Sequence, residues 1–79
     1  MLKPYKNLSG KSNVKAYDIF EDAIEVVFGR EGGPESHYVY TYESAGKEEV
    51  EKMKKLAVLG DGLGTMLATK PHHKHARKW

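Results

Sequence analysis

The sequence predicts an α+β domain in which a three-stranded antiparallel meander packs against a C-terminal helical hairpin, in the order β-β-β-α-α. Three observations carry this reading. Ile24, Val26 and Phe28 alternate with Glu25 in a run of β-branched and aromatic residues, the pattern of a strand with one buried face. Tyr38, Tyr40 and Tyr42 recur at every second position, so an extended chain places them on one face. From Val50 onward the period changes. Val50, Met53, Leu56, Ala57 and Gly60 recur at spacings of three and four, which is one stripe of an amphipathic helix.

Residues 1–12 mix Lys, Pro, Asn, Ser and Gly, with Leu2, Tyr5 and Leu8 as apolar anchors; they read as an irregular basic arm. A first strand begins near Asn13 and alternates through Ile19, and Glu21-Asp22 supplies a polar turn. Ala23–Phe28 is the second strand. Adjacent glycines and a proline make Arg30–Glu35 a loop, since Gly permits positive φ and Pro fixes a turn. His37–Tyr42 is the third strand. The helix over 47–59 has acids in its first turn and lysines later, which suits its dipole, with Ser44 or Gly46 as N-cap. Gly60 stands where a left-handed C-cap is preferred. A second, short helix runs from Leu63 to Thr69, and Pro71 marks its end. The last residues form a basic, His-rich tail over 70–79, read either as a third short helix or as a loose end. Ile24, Val26 and Phe28 with Val50, Met53, Leu56 and Ala57 are the expected core.

A chain of 79 residues accommodates one domain. There is no cysteine, so neither disulfides nor thiolate-bound zinc staple the fold. No apolar run approaches the roughly 20 residues needed to span a bilayer; a cytoplasmic protein without membrane association is expected. Charge is sharply segregated. Residues 1–17 carry four lysines and no acid, residues 62–79 carry four basic residues and no acid, and all eleven acids lie between 18 and 61. The basic ends serve solubility, dock on the acidic body, or converge to build a polyanion-binding surface.

With these residues in view, the runs Ser12-Asn13-Val14, Ala16-Tyr17-Asp18, Ile24–Phe28 and Tyr38-Val39-Tyr40 resemble the KTSC domain. This small module occurs at the C-terminus of some lysyl-tRNA synthetases and as a stand-alone bacterial or phage protein. The family's central Tyr-x-Tyr pair corresponds to Tyr38 and Tyr40, and the helical break at Leu59-Gly60-Asp61-Gly62-Leu63 is similar too. The likeness covers residues 12–69. Two features depart from it: the Gly-rich loop at Arg30–Glu35, and the absence of a proline between Tyr42 and Gly46. The resemblance implies RNA binding, through the synthetase association.

Candidate sites follow from residue type. Tyr38, Tyr40 and Tyr42 either stack bases or pack beneath the helix; the opposite face of that strand offers only His37, Val39 and Thr41, which favours tyrosines turned at least partly inward. Lys70, Lys74, Arg77 and Lys78 with Trp79 form the best basic-aromatic combination. Four phosphate contacts give a log–log salt slope near about −3. His72, His73 and His75 offer imidazoles to zinc, copper or nickel, but without cysteine or a placed carboxylate a solvated tail is the better reading and no metal is assigned. The Gly-rich segments around Gly32 and Gly62 lack the Gly-Lys-Ser/Thr ending of a phosphate loop. Acid clusters at Glu21-Asp22-Glu25 and Glu48-Glu49-Glu51 are solvated faces. No nucleophile–base constellation exists around Ser9, Ser12, Ser36 or Ser44, so neither an enzyme nor a cofactor is expected. The expected function is a non-catalytic module that binds RNA or single-stranded DNA through Tyr38, Tyr40, Lys70, Lys74, Arg77, Lys78 and Trp79. The alternative is a protein-interaction or accessory module of bacterial or phage origin, monomeric or weakly homodimeric.

Overall fold

A computed structural model describes residues 2–8, 10, 13–29, 32–69 and 75–79. Five strands are present among them: β1 (Lys3–Pro4), β2 (Val14–Phe20), β3 (Ala23–Gly29), β4 (Glu35–Thr41) and β5 (Arg77–Lys78). They form one sheet in the order β1-β2-β3-β4-β5, each antiparallel to its neighbours. Between β4 and β5 the described residues form three helices, α1 (Tyr42–Ala45), α2 (Lys47–Leu59) and α3 (Leu63–Thr69).

The α+β class, the central antiparallel strands and the two longer helices agree with the sequence reading; the three-stranded sheet is corrected to five strands. The arm contributes β1 and the tail contributes β5. The physical cause is the same at both edges. A bare outer strand exposes a row of unpaired N–H and C=O groups, and even two paired residues satisfy several of them. On the β2 side, Tyr5 N–H continues the pairing by donating to the Lys15 carbonyl at 3.1 Å. The tail is therefore neither helix nor loose end where it is described.

Register decides which side chains go inward. Ile24 pairs with Tyr40 and Ile19, and Val26 with Tyr38 and Tyr17, so these rows share the face beneath α2. Strict alternation along β2 would put Val14 on the opposite face from Tyr17. A bulge prevents this: Val14 faces Phe28 but Ala16 faces Val27, so β2 carries one extra residue. Val14 is thereby buried with Tyr17, at 3% and 7% exposure.

The core is one cluster joining Tyr5, Val14, Tyr17, Ile24, Val26 and Tyr40 to Val50, Met53, Ala57, Leu63 and Met66. Of the expected core, Phe28 and Leu56 are only partly buried at its margin. Complete burial of Ile24, Val26, Val50, Met53 and Leu63 contributes about 1.5–3 kcal/mol per side chain. Tyr5 ties the arm to the helices: its hydroxyl accepts the Leu63 N–H at 3.2 Å in a buried setting. Leu2 and Leu8, the other anchors of the arm, remain exposed.

The strand-to-helix junction also differs from expectation. Thr41 caps α1, its side-chain oxygen accepting Ser44 N–H at 3.0 Å while Ser44 Oγ accepts Thr41 N–H at 2.9 Å. Ser44 thus completes a capping box for α1 rather than capping α2, whose N-cap is Gly46. Tyr42 is drawn out of the strand into α1, and the tyrosine row on the sheet is two residues long.

Candidate nucleic-acid interface

Strand β5 lies along β4 through backbone bonds from His37 N–H to Trp79 O at 2.7 Å, Trp79 N–H to His37 O at 2.9 Å, and Ala76 N–H to Val39 O at 2.6 Å. Lys78 faces Tyr38 and Arg77 faces Val39. Alternation then sends Lys78 to the helix side of the sheet and Arg77 with Trp79 to the open side. On the helix side the Lys78 ammonium sits 5.2 Å from the Tyr38 ring centre. On the open side the Trp79 indole stacks on the His37 imidazole, with centres 5.1 Å apart and planes 12° from parallel. His37 is held in turn by Glu25, whose carboxylate is 2.7 Å from Nδ1. Trp79 remains 58% exposed, and a planar ligand has access to its indole.

Of the two readings open to the tyrosine row, the inward one describes Tyr40, and Tyr38 in part. Tyr40 is 6% exposed and belongs to the core, so it has no ring face for a base. Burial, and after it the neighbouring Tyr38, pushes its hydroxyl above the ordinary tyrosine range. Tyr38 is half-buried and enclosed by rings: Phe28 edge-on at 5.4 Å, Tyr40 stacked at 6.4 Å and His75 edge-on at 5.0 Å. On its helix-side face it lies beneath Lys78 of β5. Lys70 and Lys74, and with them His72 and His73, lie outside the described residues. Arg77, Lys78 and Trp79 come together on one exposed edge. No group of three or more His, Cys, Asp or Glu that could hold a metal ion occurs among the described residues.

The described basic residues of the two edge strands do not converge. Lys3 lies on β1 and Arg77 on β5, the opposite edges of the sheet, and four interstrand steps of about 4.8 Å separate them by roughly 19 Å. The open face between them carries acid, since Asp18 and Glu25 are directly paired on β2 and β3. A polyanion crossing the sheet would meet both carboxylates, whereas one following β5 would pass only Glu25, which is held by His37.

His37 and Glu25 were not among the sequence candidates. The sequence shows that His37 shares a face with Val39 and Thr41; it does not show that Trp79 and Glu25 are its cross-strand neighbours, because that depends on register.

A second polar cluster stands at the other end of β4. The Tyr42 hydroxyl is 2.7 Å from the Glu51 carboxylate and 3.0 Å from the Glu21 carbonyl. Lys54 Nζ is 2.7 Å from Glu51 and donates to Glu21 O at 2.9 Å. The bond to Glu51 raises Tyr42 above its ordinary value. Lys54 and then Tyr42 hold the Glu51 carboxyl below its own. Burial pulls Lys54 down, but the bond to Glu51 and its charge outweigh it, and the net shift is upward. The cluster clamps the Glu21-Asp22 turn to α2. Lys15 does similar work at the far end, 2.9 Å from Glu35, and lowers that carboxyl.

No family model, curated protein or solved structure matches the chain. Among the described residues no helix is long and apolar enough to cross a membrane.

Proposed function

We propose that this domain is a small non-catalytic module of the KTSC type that binds single-stranded nucleic acid along β5. Trp79 stacks a base, and Arg77 and Lys78 hold the flanking phosphates. The observation that carries the reading is the exposed indole of Trp79 stacked on His37 with Arg77 two residues earlier on the same face. Aromatic–base stacking contributes about 1–3 kcal/mol per base, and guanidinium and ammonium groups supply the salt-sensitive remainder. Acid on the open face confines the strand to the edge, which favours a short single-stranded segment over a duplex lying across the sheet.

Trp79 is the one tryptophan of the chain, so its fluorescence reports the site directly. Titration with oligouridylate and oligothymidylate at low salt is expected to quench it. Trp79→Ala should weaken binding, followed by anisotropy of a labelled oligomer, by about 5- to 150-fold. Arg77→Ala and Lys78→Ala should each flatten the log–log salt slope by about 0.7. A folded protein that shows neither quenching nor anisotropy change at low salt refutes the proposal.

A further inference from the structure

The indole of Trp79 rests on an imidazole, and that imidazole is held by a carboxylate. The His37 and Trp79 rings are 5.1 Å apart and 12° from parallel, and Glu25 Oε2 lies 2.7 Å from His37 Nδ1. The supporting pair is set deep: the His37 and Glu25 side chains are 21% and 13% exposed. Register produces the arrangement. His37 pairs with Val27 and Glu25 with Val39, so histidine and carboxylate are diagonal neighbours on the open side of the sheet.

Imidazole changes its charge between about pH 5 and 8. An ionised carboxylate only accepts hydrogen bonds, so the 2.7 Å contact places a proton on Nδ1 and leaves Nε2 of neutral His37 an acceptor. In that state the imidazole does not neutralise Glu25. The Glu25 charge and the Nε2 lone pair both oppose a phosphate chain that follows β5. A proton added at Nε2 reverses each of these. His37 becomes a cation that neutralises Glu25, Nε2 becomes a charge-assisted donor, and the indole has a cation against its inner face.

The charged groups around His37 on this side come from every neighbouring strand. Glu35 lies two residues earlier on β4 and is bridged to Lys15 of β2 at 2.9 Å. Arg77 lies on β5, and Asp18 of β2 is paired with Glu25 of β3. Carboxyl, ammonium and guanidinium groups ordinarily titrate outside the imidazole range. Of the described histidines, His75 is edge-on to Tyr38 on the helix side, so His37 alone stands beneath the indole.

We propose that protonation of His37 switches the β5 edge from weak to strong binding of single-stranded nucleic acid. The inference rests on the function proposed above. Binding and protonation then favour each other. The complex takes up a proton, so affinity is greatest below the titration of His37 and is lost as pH rises through it. One unit of charge about 8 Å from a phosphate changes affinity by about 2- to 30-fold.

The test is the anisotropy of labelled oligothymidylate with the full chain, at about pH 5.5 and about pH 8 and one ionic strength. Neither thymine nor the phosphodiester titrates between these values. Wild type should bind about 2- to 30-fold more tightly at the lower pH. His37→Gln keeps a donor toward Glu25 but cannot charge, and should bind weakly at both. His37→Arg supplies a permanent, planar cation that stacks on aromatic rings, and should bind strongly at both. Circular dichroism establishes that each variant is folded. In the protein without nucleic acid, Trp79 emission should fall as pH drops, because a stacked imidazolium quenches indole, and His37→Gln should abolish that fall. Equal wild-type affinity at the two pH values overturns the inference and leaves the binding function standing. A pH dependence that survives intact in His37→Gln belongs to the other histidines and also overturns it. Absence of binding at both values refutes the function itself, and the inference with it.

Discussion

Replacing Gly60 by alanine should cost more than a helix C-cap alone explains, because the N-terminal arm is packed against the bare Cα. Gly60 is left-handed, with φ 81° and ψ 21°, and its N–H closes α2 onto the Ala57 and Leu56 carbonyls. Putting an L-residue there costs roughly 1–2 kcal/mol in backbone strain. A Cβ at Gly60 would also stand 2.5 Å from Lys6 Cβ and 3.2 Å from Lys6 Cγ. Lys6 Cβ is fixed to the arm's backbone and cannot swing aside like the tip of a side chain. The arm must move, and the 2.8 Å bond from Leu8 N–H to Gly60 O is lost or lengthened, at about 0.5–1.5 kcal/mol. The sum is about 1.5–3.5 kcal/mol, or roughly 6–28 °C in Tm for a domain of this size. Gly62→Ala is the control. Its φ is +87°, but an added Cβ there meets Leu56 Cδ2 at 3.5 Å, an ordinary contact. It should lose only the backbone portion. Urea denaturation of both variants, with Lys6→Gly and Lys6→Gly/Gly60→Ala completing a double-mutant cycle, isolates the arm. Coupling of at least about 0.5 kcal/mol between positions 6 and 60 is expected. Equal losses for the two glycine variants with no coupling would refute the packing argument.

Two further outcomes follow. Met53→Ala should destabilise by about 2–5 kcal/mol, since Met53 is fully buried between sheet and helices, while Leu59→Ala, on the solvent side of the same helix, should stay within about 0.5 kcal/mol of wild type in urea denaturation at low protein concentration. The acid limb of stability should depend on Glu51 and Glu35. Both carboxyls are held below their ordinary 4.5, so their contributions are complete above that value and disappear as pH falls through the lowered folded values. Tyr42 has the opposite sign: raised above 10.0, it contributes below that pH and loses its contribution as pH rises past it. Glu51→Gln should therefore flatten Tm against pH below about 4.5 and above about 10; a profile unchanged at both ends would contradict the clamp.

How much of this was legible in the sequence depends on how long each element holds its period. β3 and α2 repeat their apolar positions over two or more cycles, and their bounds, faces and buried residues follow from that repetition. Gly60 was readable because backbone sterics act locally. β1 and β5 have two residues each, too few to show any period; they are strands because the edges of β2 and β4 offer unpaired amides and carbonyls. The bulge beside Lys15 is likewise invisible in composition, yet it moves Val14 into the core. Thr41 and Ser44 did carry a signal, since Thr-x-x-Ser is a weaker form of the Thr-x-x-Glu capping box, and it accounts for Tyr42 leaving the strand.

The candidate site suffers most from this limit, because it is assembled at an edge. Arg77, Lys78 and Trp79 are apparent as a basic-aromatic triplet, but what prepares Trp79 for stacking is His37 on the neighbouring strand and Glu25 on the next one. The same reasoning explains why the segregated charge misleads. Positive ends on a short chain suggest one basic surface. In a sheet whose spatial order equals its chain order, however, the first and last strands are the farthest apart. Lys3 and Arg77 are separated for that topological reason, and the strands between them carry Asp18, Glu25 and Glu35. Under the proposed reading a nucleic acid would meet one edge rather than a continuous basic face, and its affinity should rest on Trp79 stacking more than on the summed charge of the ends.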